Sequence, residues 1–163
     1  MSSPSPKRVA VASDHAGYQL KTAVAAHLAD AGHEVLDMGT DSEESVDYPP
    51  FCAAAGRAVV DGRADFGVVI GGSGQGEQIA ANKVNGVRAA LCHDEWMARM
   101  ARQHNNANVV AFGARVLAEA RALLILDIFL ETEFEGGRHQ PRIEQLAAIE
   151  VEECGKRSGP PSV

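Results

Sequence analysis

Phe66-Gly67-Val68-Val69-Ile70-Gly71-Gly72-Ser73-Gly74-Gln75-Gly76-Glu77-Gln78 is the stretch that decides the fold. Phe66 to Ile70 is a short, continuous apolar run of the kind found in strands buried on both faces. Glycines at 71, 72, 74 and 76 end it in a turn, and a short helix is expected around Gln78 to Lys83. A strand covered on both faces belongs to a parallel sheet, whose neighbouring strands are joined through helices.

The flanking sequence supplies them. Upstream, Arg8 to Ser13 reads as a strand ended by Asp14. Leu20, Val24 and Leu28 recur every four residues in a helix from His15 to about Ala31, which Gly32 closes. Glu34 to Met38 is a second strand, followed by a polar loop through Tyr48, Pro49 and Pro50 and a helix from about Phe51 to Val60. Downstream, strands at Val87 to Cys92 and Asn108 to Phe112 alternate with helices at about Glu95 to His104 and Leu117 to Leu130. A last helix is expected over roughly Arg142 to Glu153. The alternation predicts an α/β fold: a Rossmann-like open parallel five-stranded sheet with helices on both faces, plus a C-terminal helix. One domain is expected over residues 8–153, with a disordered extension at 1–7 and a flexible tail at 154–163.

With 163 residues the chain is one domain in size, and an apolar content of 45 % suits a packed core. A formal net charge of −7 argues against nucleic acid as a partner, though not against a small anion held by a few placed cations. Cys52, Cys92 and Cys154 form no CxxC pair, so a reduced, cytoplasmic setting fits better than a disulfide framework. Met1 to Pro6 lacks the apolar stretch of a signal peptide. Leu123 to Leu130 is too short, and carries Asp127, for a membrane span. No membrane partner is expected.

Ligands of open α/β sheets sit beyond the carboxyl ends of the strands. Asp14-His15, the glycine turn, Cys92-His93 and Gly113-Ala114-Arg115 are expected at that rim. The glycine turn is not a dinucleotide fingerprint, because Glu77 stands where the last glycine would be. Nor is it a P-loop, because Glu77-Gln78 replaces the Lys-Ser/Thr that would meet a phosphate and its magnesium. Its clustered amides can make an anion cradle. A carboxylate at the lip of such a cradle suits proton removal from a carbon beside an oxygen that becomes negative. The same pattern also fits a tight strand-to-helix turn in which Glu77 merely favours the helix dipole.

Asp14 suits an N-cap, yet at the rim it can bind a sugar hydroxyl or ring oxygen, and His15 can reach a phosphate. His104 fits a helix C-terminus and also an acid titrating near neutrality. Arg138 and Arg142, four apart around a helix start, are disfavoured there unless an anion is present. With Arg115 they form a candidate clamp. Trp96, Met97 and Met100 read as helix core, His27 and His33 as surface, and Cys52 and Cys92 as small buried hydrophobes. No metal site with recognisable spacing is present in the sequence.

Together these motifs resemble the ribose-5-phosphate isomerase B family and its relatives, including galactose-6-phosphate isomerase subunits. The matching pieces are Ser13 to Gly17, Asp47-Tyr48-Pro49, and the glycine turn running into Ile79 to Lys83. Gly86 to Ala90, His104 to Asn108, Gly113 to Arg115 and Arg138 to Gln140 complete the series, in family order over roughly residues 8 to 150. The resemblance implies an aldose–ketose isomerase that opens a furanose ring and moves a proton between C1 and C2 through a cis-enediolate, without metal or organic cofactor. It implies a homodimer or dimer of dimers with sites where two protomers meet, and the apolar helix Leu117 to Leu130 is compatible with that interface.

By position, the resemblance assigns ring opening to Asp14 and His104, and the anion hole to Gly72, Gly74 and Gly76 with the residues between. Ser73 would assist transfer between the two oxygens. His15, Arg115, Arg138 and Arg142 would contact the phosphate, with Tyr48 and Asn105 near the sugar. Many members carry a cysteine base directly after the third strand, where this chain has Gly71. It resembles the other branch, in which a glutamate at the position of Glu77 is the base. Ribose 5-phosphate is the expected substrate, and a hexose or tetrose phosphate the nearest alternative. A non-catalytic phosphate- or nucleotide-binding module would explain the cradle and arginines, but not Glu77, Asp14 and His104 together at the rim. A receiver domain would need an aspartate where Gly71-Gly72 ends the third strand.

Overall fold

The computed structural model describes residues 5–156. Residues 1–4 of the expected extension and 157–163 of the expected tail lie outside the described residues. Five strands form one parallel sheet in the order β2-β1-β3-β5-β4: β1 Arg8–Ser13, β2 Glu34–Asp37, β3 Phe66–Gly71, β4 Ala89–Leu91 and β5 Val109–Gly113. The helices are α1 Tyr18–Asp30, α2 Tyr48–Val60, α3 Gln75–Ala81, α4 Glu95–Gln103, α5 Glu119–Glu131 and α6 Gln140–Glu153, the last preceded by a 3₁₀ turn at Gly137–His139. The expected α/β architecture is therefore the observed one. Among the described residues no helix is long and apolar enough to cross a membrane.

The strands' alternating side chains divide the core in two. Val9, Val11, Val68, Ile70, Val110 and Phe112 face α1, α4 and α5. The stripe of Leu20, Val24 and Leu28 packs there from α1, and Ile125, Leu126 and Phe129 of α5 complete the layer. Ala10, Ala12, Val69, Val109 and Ala111 face α2 and α3, a thinner layer closed by Cys52, Ala55, Ala58 and Ala81. Small residues let α2 lie close to the sheet, and that closeness brings its first turn to the glycine turn. The chain leaves β1 in one direction to reach β2 and returns past β1 to β3. The crevice at this switch in direction opens between the carboxyl ends of β1 and β3, paired in register as Ser13 with Ile70.

Element boundaries move by a few residues from expectation, with identifiable causes. α2 starts at Tyr48, not Phe51, because Pro49 and Pro50 sit in its first turn, where no amide hydrogen is needed. α3 starts at Gln75, which puts Glu77 in its first turn. Asp14 does not cap α1. Gly17 is the N-cap, and Asp14 Oδ1 accepts from the Gly17 amide at 3.0 Å, folding the residues between into a turn ahead of the helix. Lys7 belongs to the fold, its amide donating to His33 Nδ1 and its carbonyl accepting from Glu34.

One burial expectation fails. Trp96 is 68 % exposed, and Met97 and Met100 are only half-buried, because they line a groove that nothing within the protomer fills. α5 packs most of its apolar face into the protomer's own core and leaves Leu124 exposed. α6 buries no residue and exposes Leu146, Ile149 and Val151, while its Glu150 accepts from the Gly86 amide. His27 and His33 are half-buried, His27 paired with Asp127 at 2.7 Å.

Candidate active site

Glu77 is 4 % exposed. A Cβ built on Gly71 would overlap its carboxylate, so the carboxylate fills the space that a side chain at 71 would take. Gly71 is thus glycine for want of room. Gly74, the N-cap of α3, has φ of 80°, a conformation that L side chains rarely adopt, and its missing side chain leaves space to Leu91 and the Phe112 backbone. Among the described residues the amides of Gly72, Ser73 and Gly76 meet no protein acceptor. The turn therefore offers free donors beside a buried carboxylate.

Burial pushes the Glu77 carboxyl above the usual carboxylate range, and the negative charge of Asp14 adds to the shift. The amides of Glu77 and Gly74 pull the other way. Asp14, 8 % exposed, is fixed by its amide donating to Ile70 O and by its own acceptance from Gly17. Behind both carboxylates lies Cys52, whose thiol is pushed up to about 12 by burial and by these two charges. Burial does the same to Cys92, also about 12. Both thiols stay protonated near neutrality and are the small hydrophobes expected, not nucleophiles.

Tyr48, on the first turn of α2, lays its ring against Gly76, where an added Cβ would come within 2.5 Å of Cζ. Arg115 donates its amide to Gly72 O at 3.0 Å and carries its guanidinium over Gly72. His15 and Arg115 line a polar cavity of about 470 Å³ with Gln19, Glu43 and Glu119, three lining groups that sequence reading missed because they lie on separate elements. Ser73 is exposed, its hydroxyl accepting from the Gln75 amide. Asp14, His15, Tyr48, the cradle, Glu77 and Arg115 thus share one rim.

His104, Asn105, Arg138 and Arg142 do not share it. His104 caps the end of α4, ahead of β5, and in a parallel sheet that is the amino edge. At about 3.3 Å per residue, the length of β5 puts the two edges roughly 15 Å apart. The expectation of Glu77, Asp14 and His104 at one rim therefore fails within a protomer, because sequence order gives no sign of which end of a strand a helix terminus abuts until the sheet direction is fixed. At the amino edge His104 stacks on His139, ring centroids 4.1 Å apart and planes 12° from parallel. Arg138 Nε and Arg142 Nη1 lie 3.3 and 3.4 Å from the two His139 ring nitrogens. Burial, then the positive neighbours His104, Arg138 and Arg142, hold His139 below the usual histidine range. His139 was passed over in the sequence, although its place between Arg138 and Arg142 was the available signal.

His104, Glu135 and His139 bring potential metal-ligand atoms within 4.8 Å of one another. Two guanidinium groups against His139 and nearly parallel stacked rings make this a poor cation site. The cluster suits an anion.

A buried carboxylate with raised affinity for protons beside unoccupied amide donors, on an α/β sheet, defines an enzyme of the proton-transferring kind. The model of the Ribose/Galactose Isomerase family matches residues 9–146. The chain belongs to that family. It is 46 % identical over 144 residues to ribose-5-phosphate isomerase B of Escherichia coli K12, covering 88 % of this chain and 97 % of that one. It is 46 % identical over 147 residues to the protein of the same name from Mycobacterium tuberculosis H37Rv, covering 88 % and 90 %. The solved structure of ribose-5-phosphate isomerase B from Clostridium thermocellum superposes with a TM-score of 0.88 at 48 % identity, over 89 % of this chain and 98 % of that one.

Two predictions test the geometry. Gly71→Ala should expel the Glu77 carboxylate and reduce kcat by on the order of a hundredfold, the usual penalty for misplacing a reacting group. Gly72→Ala, where only the end of the flexible Arg115 side chain must yield, should cost less. A normal kcat in Gly71→Ala would mean the carboxylate can act from elsewhere. Second, a carboxyl whose folded-state pKa is raised contributes stability below the ordinary carboxylate range and loses it as pH rises through the raised value. Glu77→Gln should therefore unfold at higher urea than the parent at neutral pH, with the gap closing in acid, while turnover falls by about 10²–10⁴-fold. The parent's kcat/KM should fall with acid at a pH above the ordinary carboxylate range, as the base is protonated.

Proposed function

We propose that the chain interconverts ribose 5-phosphate and ribulose 5-phosphate through a cis-enediolate, as a homodimer whose sites each draw on both protomers. The observation that carries the reading is the Glu77 carboxylate buried in the side-chain space of Gly71, beside free amides. In this reading Glu77 takes the proton from C2 of the open-chain aldose, and the oxygen that becomes negative is held by the free amides of the Gly72 to Gly76 cradle, those of Gly72, Ser73 and Gly76. Ser73 passes a proton between the two oxygens, and Glu77 returns its proton to C1. Asp14 takes the proton of the C1 hydroxyl as the bond from C1 to the ring oxygen breaks, and His104 of the partner subunit protonates that oxygen as the furanose opens. Tyr48 walls the sugar, with Asn105 of the partner subunit opposite. His15 and Arg115 hold the phosphate from one side, and Arg138 and Arg142 of the partner subunit hold it from the other. No metal or organic cofactor takes part.

The division of these groups between two edges of one sheet supports self-association, since one protomer alone leaves the base without its acid. So does the apolar groove of about 610 Å³ lined by Trp96, Met97, Met100, Ile143 and Leu146, together with the unburied face of α6. A second copy is the occupant that would both cover these surfaces and bring the two half-sites together. Free thiols at Cys52, Cys92 and Cys154 fit a cytoplasmic setting, and the net charge of −7 fits a small metabolite better than a nucleic acid.

A panel of four-, five- and six-carbon aldose phosphates should give the highest kcat/KM with ribose 5-phosphate, unchanged by a chelator. Nucleotide binding without turnover of any sugar phosphate would overturn the assignment. Mixing inactive Glu77→Gln and His104→Ala proteins under conditions of subunit exchange should restore activity, because each hybrid dimer holds one site with both groups intact. Failure of exchanged hybrids to regain activity would show that the two residues do not act across subunits.

A further inference from the structure

Arg102, on α4, is 8 % exposed, and among the described residues the one charge that bears appreciably on it is a second cation, Arg88. Burying a guanidinium without a carboxylate costs several kcal/mol on general grounds, and apolar residues of similar volume often replace buried charges without loss. Stability alone gives a weak reason for arginine here. Its contacts suggest another. Nη1 donates to Ala107 O at 2.5 Å and to Asn106 Oδ1 at 2.9 Å, and Nε donates to Thr132 O at 3.2 Å. The faces of Phe66 and Phe129 lie 4.9 and 5.7 Å from the guanidinium carbon.

One planar, rigid group therefore joins two chain segments that are remote in sequence. The first is the turn from His104 to Ala107, tight enough that Asn106 has φ of 45°. The second leaves α5 at Thr132 and leads to Arg138, His139 and Arg142. The segments meet again where the Glu135 amide donates to Gln103 O, and they end in the His104–His139 stack. From the other side of the turn, Arg88 donates to the Asn105 and Asn106 carbonyls. Lysine could not reproduce this. Its single ammonium has no fork to hold Thr132 and Ala107 at a fixed separation.

We propose that Arg102 is a positioning residue, fixing the register between the two segments so that His104 and His139 stack and Arg138 and Arg142 stand beside them. It touches no substrate. Its effect on turnover rests on the reading of His104 as the ring-opening acid and of the arginines as the phosphate clamp, whereas its effect on the stack does not.

The test is Arg102→Lys in the full-length protein, followed by imidazole ¹H–¹⁵N spectra and kinetics. The expected result is that the His104 and His139 signals move toward unstacked positions while those of His15, His27 and His33 stay. In the same variant KM should rise and kcat fall, together lowering kcat/KM by on the order of ten- to a hundredfold. Hybrids of Arg102→Lys with Glu77→Gln should regain activity, and hybrids with His104→Ala should not, since the defect then lies on the His104 side. A folded Arg102→Lys with unmoved histidine signals and normal kinetics, whatever its melting temperature, would overturn the proposal. If Arg102→Lys does not fold, Asn106→Gly keeps the positive φ and removes one acceptor. It must then move the same two histidine signals, and unmoved signals would overturn the proposal equally. Failure of the Glu77→Gln and His104→Ala hybrids would count against the shared site alone, because the spectra need neither substrate nor subunit exchange.

Discussion

One exchange of volume organises this molecule: the carboxylate of Glu77 stands where residue 71 has no side chain. The exchange needs glycine at the end of β3, a helix that starts early enough to put Glu77 in its first turn, and a thin layer of alanines beneath so that α2 comes close. The cost is electrostatic. A carboxylate taken from water and set near Asp14 gains affinity for its proton, and in the proposed function that gain suits a base acting on a carbon acid. Stability and chemistry pull in opposite directions at this residue, as they do where a site is built and not merely tolerated.

The sheet's polarity imposes the second constraint. Parallel strands put everything that follows a strand at one edge and everything that precedes it at the other, and the chemistry-bearing residues fall on both sides of that line. Asp14, Glu77 and Arg115 follow strands, while His104 precedes one and gathers Arg138, His139 and Arg142 around it. No rearrangement within one protomer reconciles these positions without inverting the sheet. In the proposed homodimer a second copy would do so without moving any strand.

Most of the fold was legible because its signals are local. The apolar run from Phe66 to Ile70, the four-residue spacing of Leu20, Val24 and Leu28, and the glycine at position 32 each fix an element through its own neighbours. The carboxyl rim was legible for the same reason, since rim residues directly follow strands. What stayed hidden depends on separation. Trp96 carries the composition of a core residue, and only the missing neighbour in space reveals it as a surface. His104 shows its edge only once strand direction is assigned. Arg102 is indistinguishable in sequence from the exposed Arg99 one turn away, because its partners Ala107 and Thr132 offer carbonyl oxygens, which every residue has.

The charges of the two edges extend the case for pairing them. At the carboxyl edge burial and the nearby Asp14 raise the proton affinity of Glu77, and at the amino edge burial and then His104, Arg138 and Arg142 lower that of His139. Like charges thus gather at each edge, Asp14 and Glu77 at one and Arg138 and Arg142 at the other. In the proposed homodimer, Glu43 and Glu119 border the cavity that the partner subunit's arginines would enter, so that approach brings unlike charges together before any substrate is present. Complementarity of this kind orients the encounter as well as favouring it, since a protomer docked with like edges together would meet repulsion at both.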